Sequence, residues 1–278
     1  FYAWSPEQLA AVLGAAEGAR LAAEWDLHPG QREIGRSGHD EPVTHHVPQP
    51  RAAGIPAGVA GQAHRARWEA FLPRLRAVRD ARPRPGRDDK VLTDQNGLAL
   101  EGFAWLGRAT GEPRFIAATR ELADAMVARH TATGLLRLAY RPAYITDYGF
   151  LAAGLMAAFD LLGDPTLVDR AAAIIDEAVA RLRSDDGGFF TTPAGRADLV
   201  RRSREQLDNA WPAGQNSLAV AAMRLHAITG AARWREVAEG IIADGASACR
   251  RAPTASATLL AAWRQARDEP RTAVVCLL

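Results

Sequence analysis

Lys90 to Gly107 reads KVLTDQNGLALEGFAWLG. The segment leaves a Pro/Arg-rich stretch and crosses a polar turn at Thr93, Asp94, Gln95, Asn96 and Gly97. It then enters a helix whose Leu98, Leu100, Phe103, Ala104 and Leu106 are apolar. The turn TGEP follows, and Pro113 stands at the first position of a second helix running to about His130. The same order recurs twice. Asp147 and Tyr148 precede an apolar helix over 150–162, followed by GDP and a partner helix over 167–182. Asn216 and Ser217 precede a helix over 218–228, followed by TGAA and a partner over 234–242. The turn glycines Gly111, Gly163 and Gly230 stand 52 and 67 residues apart, and the longer interval holds the segment 184–214.

Helical hairpins at this period are too long for the common solenoid repeats. They predict an all-α fold, an (α/α) toroid of helical hairpins, incomplete within this chain. The apolar helices after Asn96, Asp147 and Asn216 suit an inner wall, and their charged partners suit an outer one. The inner-helix starts then surround one mouth, where a concave site would form. All of 1–278 is expected to be one such domain, with a Gly/Pro/His loop over 26–62, a Pro/Arg linker over 83–89 and an insertion over 184–214.

The flanking elements follow from local signals. Ser5, Pro6 and Glu7 form a helix start: a hydroxyl cap, a proline where no donor is needed and an acid in the first turn. Trp68, Phe71, Leu72, Leu75 and Val78 recur at helical steps within 63–82, and Pro83 and Pro85 stop that helix. GGFF at 187–190 predicts a turn into a short edge strand. Trp4, Trp25, Trp234 and Trp263 are expected in the core.

Composition excludes several function classes. Of 278 residues, 48% are hydrophobic and 24% charged, the balance of a globular protein with a sizeable core. A net charge of +2 demands neither a nucleic-acid nor a membrane partner, and the arginine-rich face of 63–82 lacks the aromatic platform of an RNA-binding module. No apolar run approaches the roughly 20 residues of a membrane span, and no secretion pattern opens the chain, so a cytoplasmic protein is expected. Cys249 and Cys276 frame neither a disulfide scaffold nor a zinc site. His28, His39, His45 and His46, near Asp40 and Glu41, lack metal-ligand spacing, so neither metal nor cofactor is expected. A start at Phe1 rather than Met predicts a piece of a longer protein.

Five blocks occur in one family's order: FYAWSPEQL, KVLTDQNGL, TDYGFLAAGLMAAFDLLGDP, DGGFFTT and DNAWPAGQNSLAVAAMRLHAITG. They resemble the thioredoxin-domain-containing family of spermatogenesis-associated protein 20 and its bacterial relatives. The resemblance implies a six-hairpin glycosidase-like toroid, related to glycosidases and N-acylglucosamine 2-epimerases, and a thioredoxin-like domain upstream or in trans. The chain departs from the family pattern: it has no CxxC, Gln95 stands for a Trp, and Thr146 for an Asp. Asn209 and Ala213 stand for Gly and Ser, and Gln215 is inserted.

Glycosidases need two carboxyl groups across the scissile bond, and Asp94, Asp147 and Asp208 at one mouth are the candidate catalytic residues. Tyr148, Asn96, Trp105, Trp211, Gln215 and Asn216 are candidate substrate-binding residues, as flat or hydrogen-bonding groups suited to a sugar ring. An epimerase would need a base, usually His, but His130 and His226 stand away from the entrances. The competing reading of Asp94, Asn96, Asn216 and Ser217 is helix capping, each cap worth roughly 1 kcal/mol. The ligand expected is a small molecule, with a sugar as the candidate class. Three functions compete: a glycosidase-like hydrolase or sugar epimerase; a non-catalytic binding or scaffold toroid working with a thioredoxin-like domain; and a pathway-specific enzyme repurposed for a non-sugar substrate.

Overall fold

The computed structural model describes residues 1–25, 27, 58–195 and 198–268. The four histidines of the 26–62 loop, Asp40, Glu41 and Cys276 lie outside the described residues. Among the described residues, ten α-helices and a small antiparallel sheet make up two compact units, Phe1–Asp88 and Asp89–Leu278.

The first unit holds α1 (Pro6–Leu13), α2 (Ala15–Glu24) and α3 (Gly58–Asp80). The helix start expected at Ser5 is a full capping box: the Ser5 hydroxyl accepts the Gln8 N–H and the Gln8 side chain accepts the Ser5 N–H, both at 3.2 Å. Trp4, Leu9, Leu21, Trp25 and Leu75 form its buried core. The Arg82 guanidinium lies 4.1 Å over the Trp4 ring and donates to the Phe1 and Ala3 carbonyls.

The second unit contains the hairpins. These are α4 (Thr93–Thr110) with α5 (Pro113–Val127), α6 (Ile145–Leu162) with α7 (Thr166–Leu182), and α8 (Gly214–Thr229) with α9 (Ala232–Arg251). A 3-10 turn at Pro253–Ala255 leads into α10 (Ala257–Arg267). Helix α6 packs between α4 and α8, and α10 packs on the other side of α8, while α5, α7 and α9 each lie along their own partner. The row α4–α6–α8–α10 is the inner layer of an (α/α) toroid, and α5, α7 and α9 are its outer layer.

Each inner helix ends as the turn glycines require. Gly111, Gly163 and Gly230 take φ of 67°, 67° and 70°, the left-handed conformation that closes a helix C-terminus, and donate back to Gly107, Phe159 and His226. Outer helix α7 buries Leu167, Val168, Ala171, Ile174, Ile175, Ala178 and Leu182, the stripe of a one-sided amphipathic helix. Helix α6 is apolar all round. Among the described residues it is the one helix long and apolar enough to cross a membrane, and 78% of it is buried inside the protein. Glycines let the inner row close up: a Cβ on Gly149 would run into the Gly214 carbonyl oxygen, and one on Gly214 would lie 2.6 Å from the Thr146 nitrogen.

Three expectations need correction. Thr93, Asp94, Gln95 and Asn96 are the first turn of α4 rather than a turn before it; the Asp147 side chain of a neighbouring helix takes the free Asp94 N–H at that start. Trp263 is 45% exposed instead of core, unlike Trp4, Trp25 and Trp234. The edge strand at 187–190 reduces to a single antiparallel bridge between Arg183 and Phe189, with Phe189 buried. One element went unread in the sequence: a meander of β1 (His130–Thr131), β2 (Gly134–Leu138) and β3 (Arg141–Pro142) between α5 and α6.

Candidate functional site

The starts of α4 and α6 meet around two carboxylates. Leu92, the residue before α4, has no side chain to cap the helix. The Asp94 N–H is taken instead by Oδ1 of Asp147 on α6, at 2.9 Å. The other oxygen of Asp147 accepts the Tyr144 N–H at 2.8 Å, which caps its own helix, and Arg137 Nη1 at 3.1 Å. The same nitrogen reaches Asp94 Oδ2 at 2.7 Å, and the Thr146 hydroxyl donates to that oxygen at 3.2 Å. Arg137 comes from β2, which the meander holds over the two helix starts. Thr93 fixes the meander in turn: its hydroxyl donates to the Leu136 carbonyl at 2.5 Å and accepts from Arg129 Nε at 2.8 Å.

The Asp147 side chain is fully buried, while those of Asp94 and Arg137 are 11% and 21% exposed. Burial pushes the Asp147 carboxyl up to about 6, against the Tyr144 N–H and Arg137, which pull it down, and with the Asp94 charge adding to the rise. Burial works against the charged form of Arg137 as well, but Asp147 and Asp94 outweigh it and hold the guanidinium above its ordinary value. Both carboxylates are thus engaged by a single guanidinium nitrogen, at 2.7 and 3.1 Å.

A second aspartate joins α8 to α10. Asp208 Oδ1 accepts the Ala213 N–H at 2.9 Å and the Asn216 amide at 3.2 Å, and Oδ2 accepts the Thr258 N–H at 2.8 Å. The Asp208 N–H donates to the Ala255 carbonyl at 2.8 Å. One side chain thereby fastens the loop before α8 to the first turn of α10. Beside it a groove of about 510 Å³ is lined by Asp208, Asn209, Trp211, Pro212, Thr254 and Thr258, among others.

The remaining sequence candidates fall in several places. Tyr148 is 1% exposed and donates its hydroxyl to Glu177 Oε1 at 3.0 Å; burial and then the Glu177 charge raise its pKa. Glu177 also holds Arg181, His130 and the Leu135 N–H. Gln215 is buried, accepting the Phe189 N–H at 3.0 Å and donating to Asp244 at 3.2 Å. Asn216 is buried and donates to Asp208 and to the Gln206 carbonyl, and its Oδ1 has no partner among the described residues. Asn96 donates to the Leu92 carbonyl at 2.8 Å. Trp105 is 55% exposed and lies three turns along α4 from Asp94, with Arg108 5.2 Å from its ring. Trp211 is 51% exposed at the groove. The structure thus brings together Asp94 with Asp147, and Asp208 with Asn216 and Trp211. Among the described residues no His/Cys/Asp/Glu group is arranged to hold a metal. Sequence reasoning missed Arg137, Thr254 and Thr258. The alternation of GLLRL after the turn TATG is the one signal that marks the strand carrying Arg137.

The fold is that of an (α/α)-toroid protein, an inner row of helices backed by an outer one. No family model matches the chain. Among curated proteins it is similar to human spermatogenesis-associated protein 20, 26% identical in an alignment of 238 positions that covers 79% of this chain and 30% of that protein. The mouse protein matches at the same identity, so the chain spans less than a third of the relatives it matches. Among solved structures, a GH76 α-mannanase of Bacteroides thetaiotaomicron superposes with a TM-score of 0.52 at 11% identity, over 73% of this chain and 63% of that one. Cellobiose 2-epimerase of Spirochaeta thermophila gives 0.44 at 18% identity, over 55% and 42%.

Proposed function

We propose that the chain is the ligand-binding toroid of a larger protein and holds a carbohydrate, or a similarly polar small molecule, at its mouth without cleaving it. The likeness in fold to an α-mannanase supports the carbohydrate class. The observation that carries the non-hydrolytic reading is the commitment of the mouth aspartates to structural hydrogen bonds between helices. Asp147 accepts two backbone N–H groups and Arg137, Asp94 shares that Arg137, and Asp208 holds two helix starts. A nucleophile or acid must reach the scissile bond, and Asp147, with no exposed surface, is built to hold helices together. A thioredoxin-like domain, upstream or in trans, belongs to this reading as a partner.

One observation favours a catalytic reading instead. A carboxyl pushed up to about 6 beside a second carboxylate is the electrostatic signature of an acid/base pair. Calorimetry and product chromatography on the purified chain, with manno- and gluco-oligosaccharides, separate the two. Binding without products is expected. Turnover that disappears in Asp147→Asn would replace the binding reading with the catalytic one.

A further inference from the structure

We propose that the groove between the loop before α8 and the start of α10 is a pyranose subsite in which Trp211 provides the stacking face. The proposal rests on the carbohydrate reading above and moves the ligand from the Asp94–Asp147 pair to the other end of the inner row.

Trp211 differs from the other six tryptophans. Trp4, Trp105, Trp234 and Trp263 each carry an arginine guanidinium over the ring, and Trp25 and Trp68 pair at 5.1 Å. Trp211 has no ring or cation partner among the described residues and leaves 51% of its surface open. Its backbone is nevertheless fixed. The Trp211 carbonyl accepts the Asn209 N–H at 2.9 Å, Pro212 follows, and Asp208 and Ala213 are tied on either side. An unpaired indole on a tethered backbone beside a concavity offers a stacking surface, and the backbone that carries it has little ordering entropy left to lose on binding.

The rest of the lining matches a polyol ring. The side chains of Asn209, Thr254 and Thr258 make no hydrogen bond among the described residues, so an amide and two hydroxyls stand open around the indole. Asp208 Oδ2 accepts one bond, from Thr258, and keeps lone-pair capacity for a hydroxyl donor. A volume of about 510 Å³ lies within the range of small-molecule sites and admits more than one sugar ring. The Asp208 charge disfavours anions. A pyranose offers apolar C–H faces to the indole and hydroxyls to the rim, which is the combination present.

Calorimetry and saturation-transfer NMR on the full chain test this, using mannotriose, cellotriose and methyl α-mannopyranoside as probes and choline as a cation control. Trp211→Ala should weaken sugar binding by about tenfold, on the scale of one aromatic contact. Thr258→Val should weaken it about threefold, the scale of a neutral hydrogen bond. Trp105→Ala, which removes an exposed tryptophan elsewhere, should leave binding unchanged, and all three variants should keep the parent unfolding midpoint. Sugar binding that survives Trp211→Ala would overturn the subsite while leaving the carbohydrate reading intact. Choline bound in place of sugar would make the groove a cation site. A parent chain that binds no sugar overturns both readings.

Discussion

The carboxylate of Asp147 on α6 accepts the backbone N–H of Asp94 on α4 at 2.9 Å, so one inner helix is capped by the side chain of its neighbour. Asp208 repeats the arrangement across α8 and α10. Free N–H groups at a helix start need an acceptor, and their partial positive charge favours a carboxylate. In this row of helices the acceptor comes from the adjacent hairpin, which fastens neighbours together at the end where the mouth lies.

Asp147→Ala is therefore expected to cost more than one cap. It strands the Asp94 and Tyr144 N–H groups, leaves Arg137 with one acid instead of two and opens a void at a fully buried position. A loss of about 3 kcal/mol follows from breaking a buried ion pair that retains a second acid. Urea unfolding at neutral pH measures it, and a loss below 1 kcal/mol would contradict the bridging role.

The same group sets a pH dependence. Asp147 rises from 3.8 to about 6 on folding, so between those values the folded chain binds the proton that the unfolded chain has released. Its contribution to stability is fully present below about pH 4 and is lost as pH rises through about 6. At 1.36 kcal/mol per unit, the full span is about 3 kcal/mol. Asp147→Asn removes the titration. The stability difference between parent and variant should shift against the parent from pH 4 to 6.5, and a constant difference would show that Asp147 titrates normally.

Two glycine-to-alanine changes should have opposite signs. Gly149 faces the Gly214 carbonyl at the crossing of α6 and α8, and a methyl there forces two backbones apart. Overpacking of about 1–3 kcal/mol exceeds the helix-propensity gain of about 1 kcal/mol, so Gly149→Ala should destabilise. Gly102, in the middle of α4, has nothing within 4 Å of its Cβ position, and Gly102→Ala should raise the unfolding midpoint. Thermal scans of both variants test the contrast.

Tyr148→Phe should separate structure from ligand contact. The hydroxyl is spent on Glu177, so its removal should cost about 1.5 kcal/mol of stability, the scale of a hydrogen bond to a charged acceptor. Sugar affinity should be unchanged by calorimetry. A variant of parental stability that no longer binds sugar would place Tyr148 in the ligand's path.

Much of the architecture was legible in the residues alone. Gly111, Gly163 and Gly230 recur because a left-handed helix end tolerates glycine best, so a tertiary period left a local mark. The apolar run of α6 announced an inner helix because burial on every face leaves no polar stripe. The meander passed unread because two of its three strands are two residues long, too short for alternation to register. With it went Arg137, whose meaning depends on the two acids it touches.

The polar helix entrances show where local information stops. Asp94, Asp147 and Asp208 stand beside helix starts in the sequence, as caps and catalytic acids both can. Which groups each carboxylate meets depends on residues as far as 53 positions away, brought together by packing of the inner row. Hairpin order, turn chemistry and the inner and outer faces were local properties, set by backbone conformation and hydrophobic period. Tertiary packing decided that Asp147 joins α6 to α4, that Tyr148 turns inward to Glu177, and that Trp211 is left open beside α10, because burial and partnership are properties of neighbours in space.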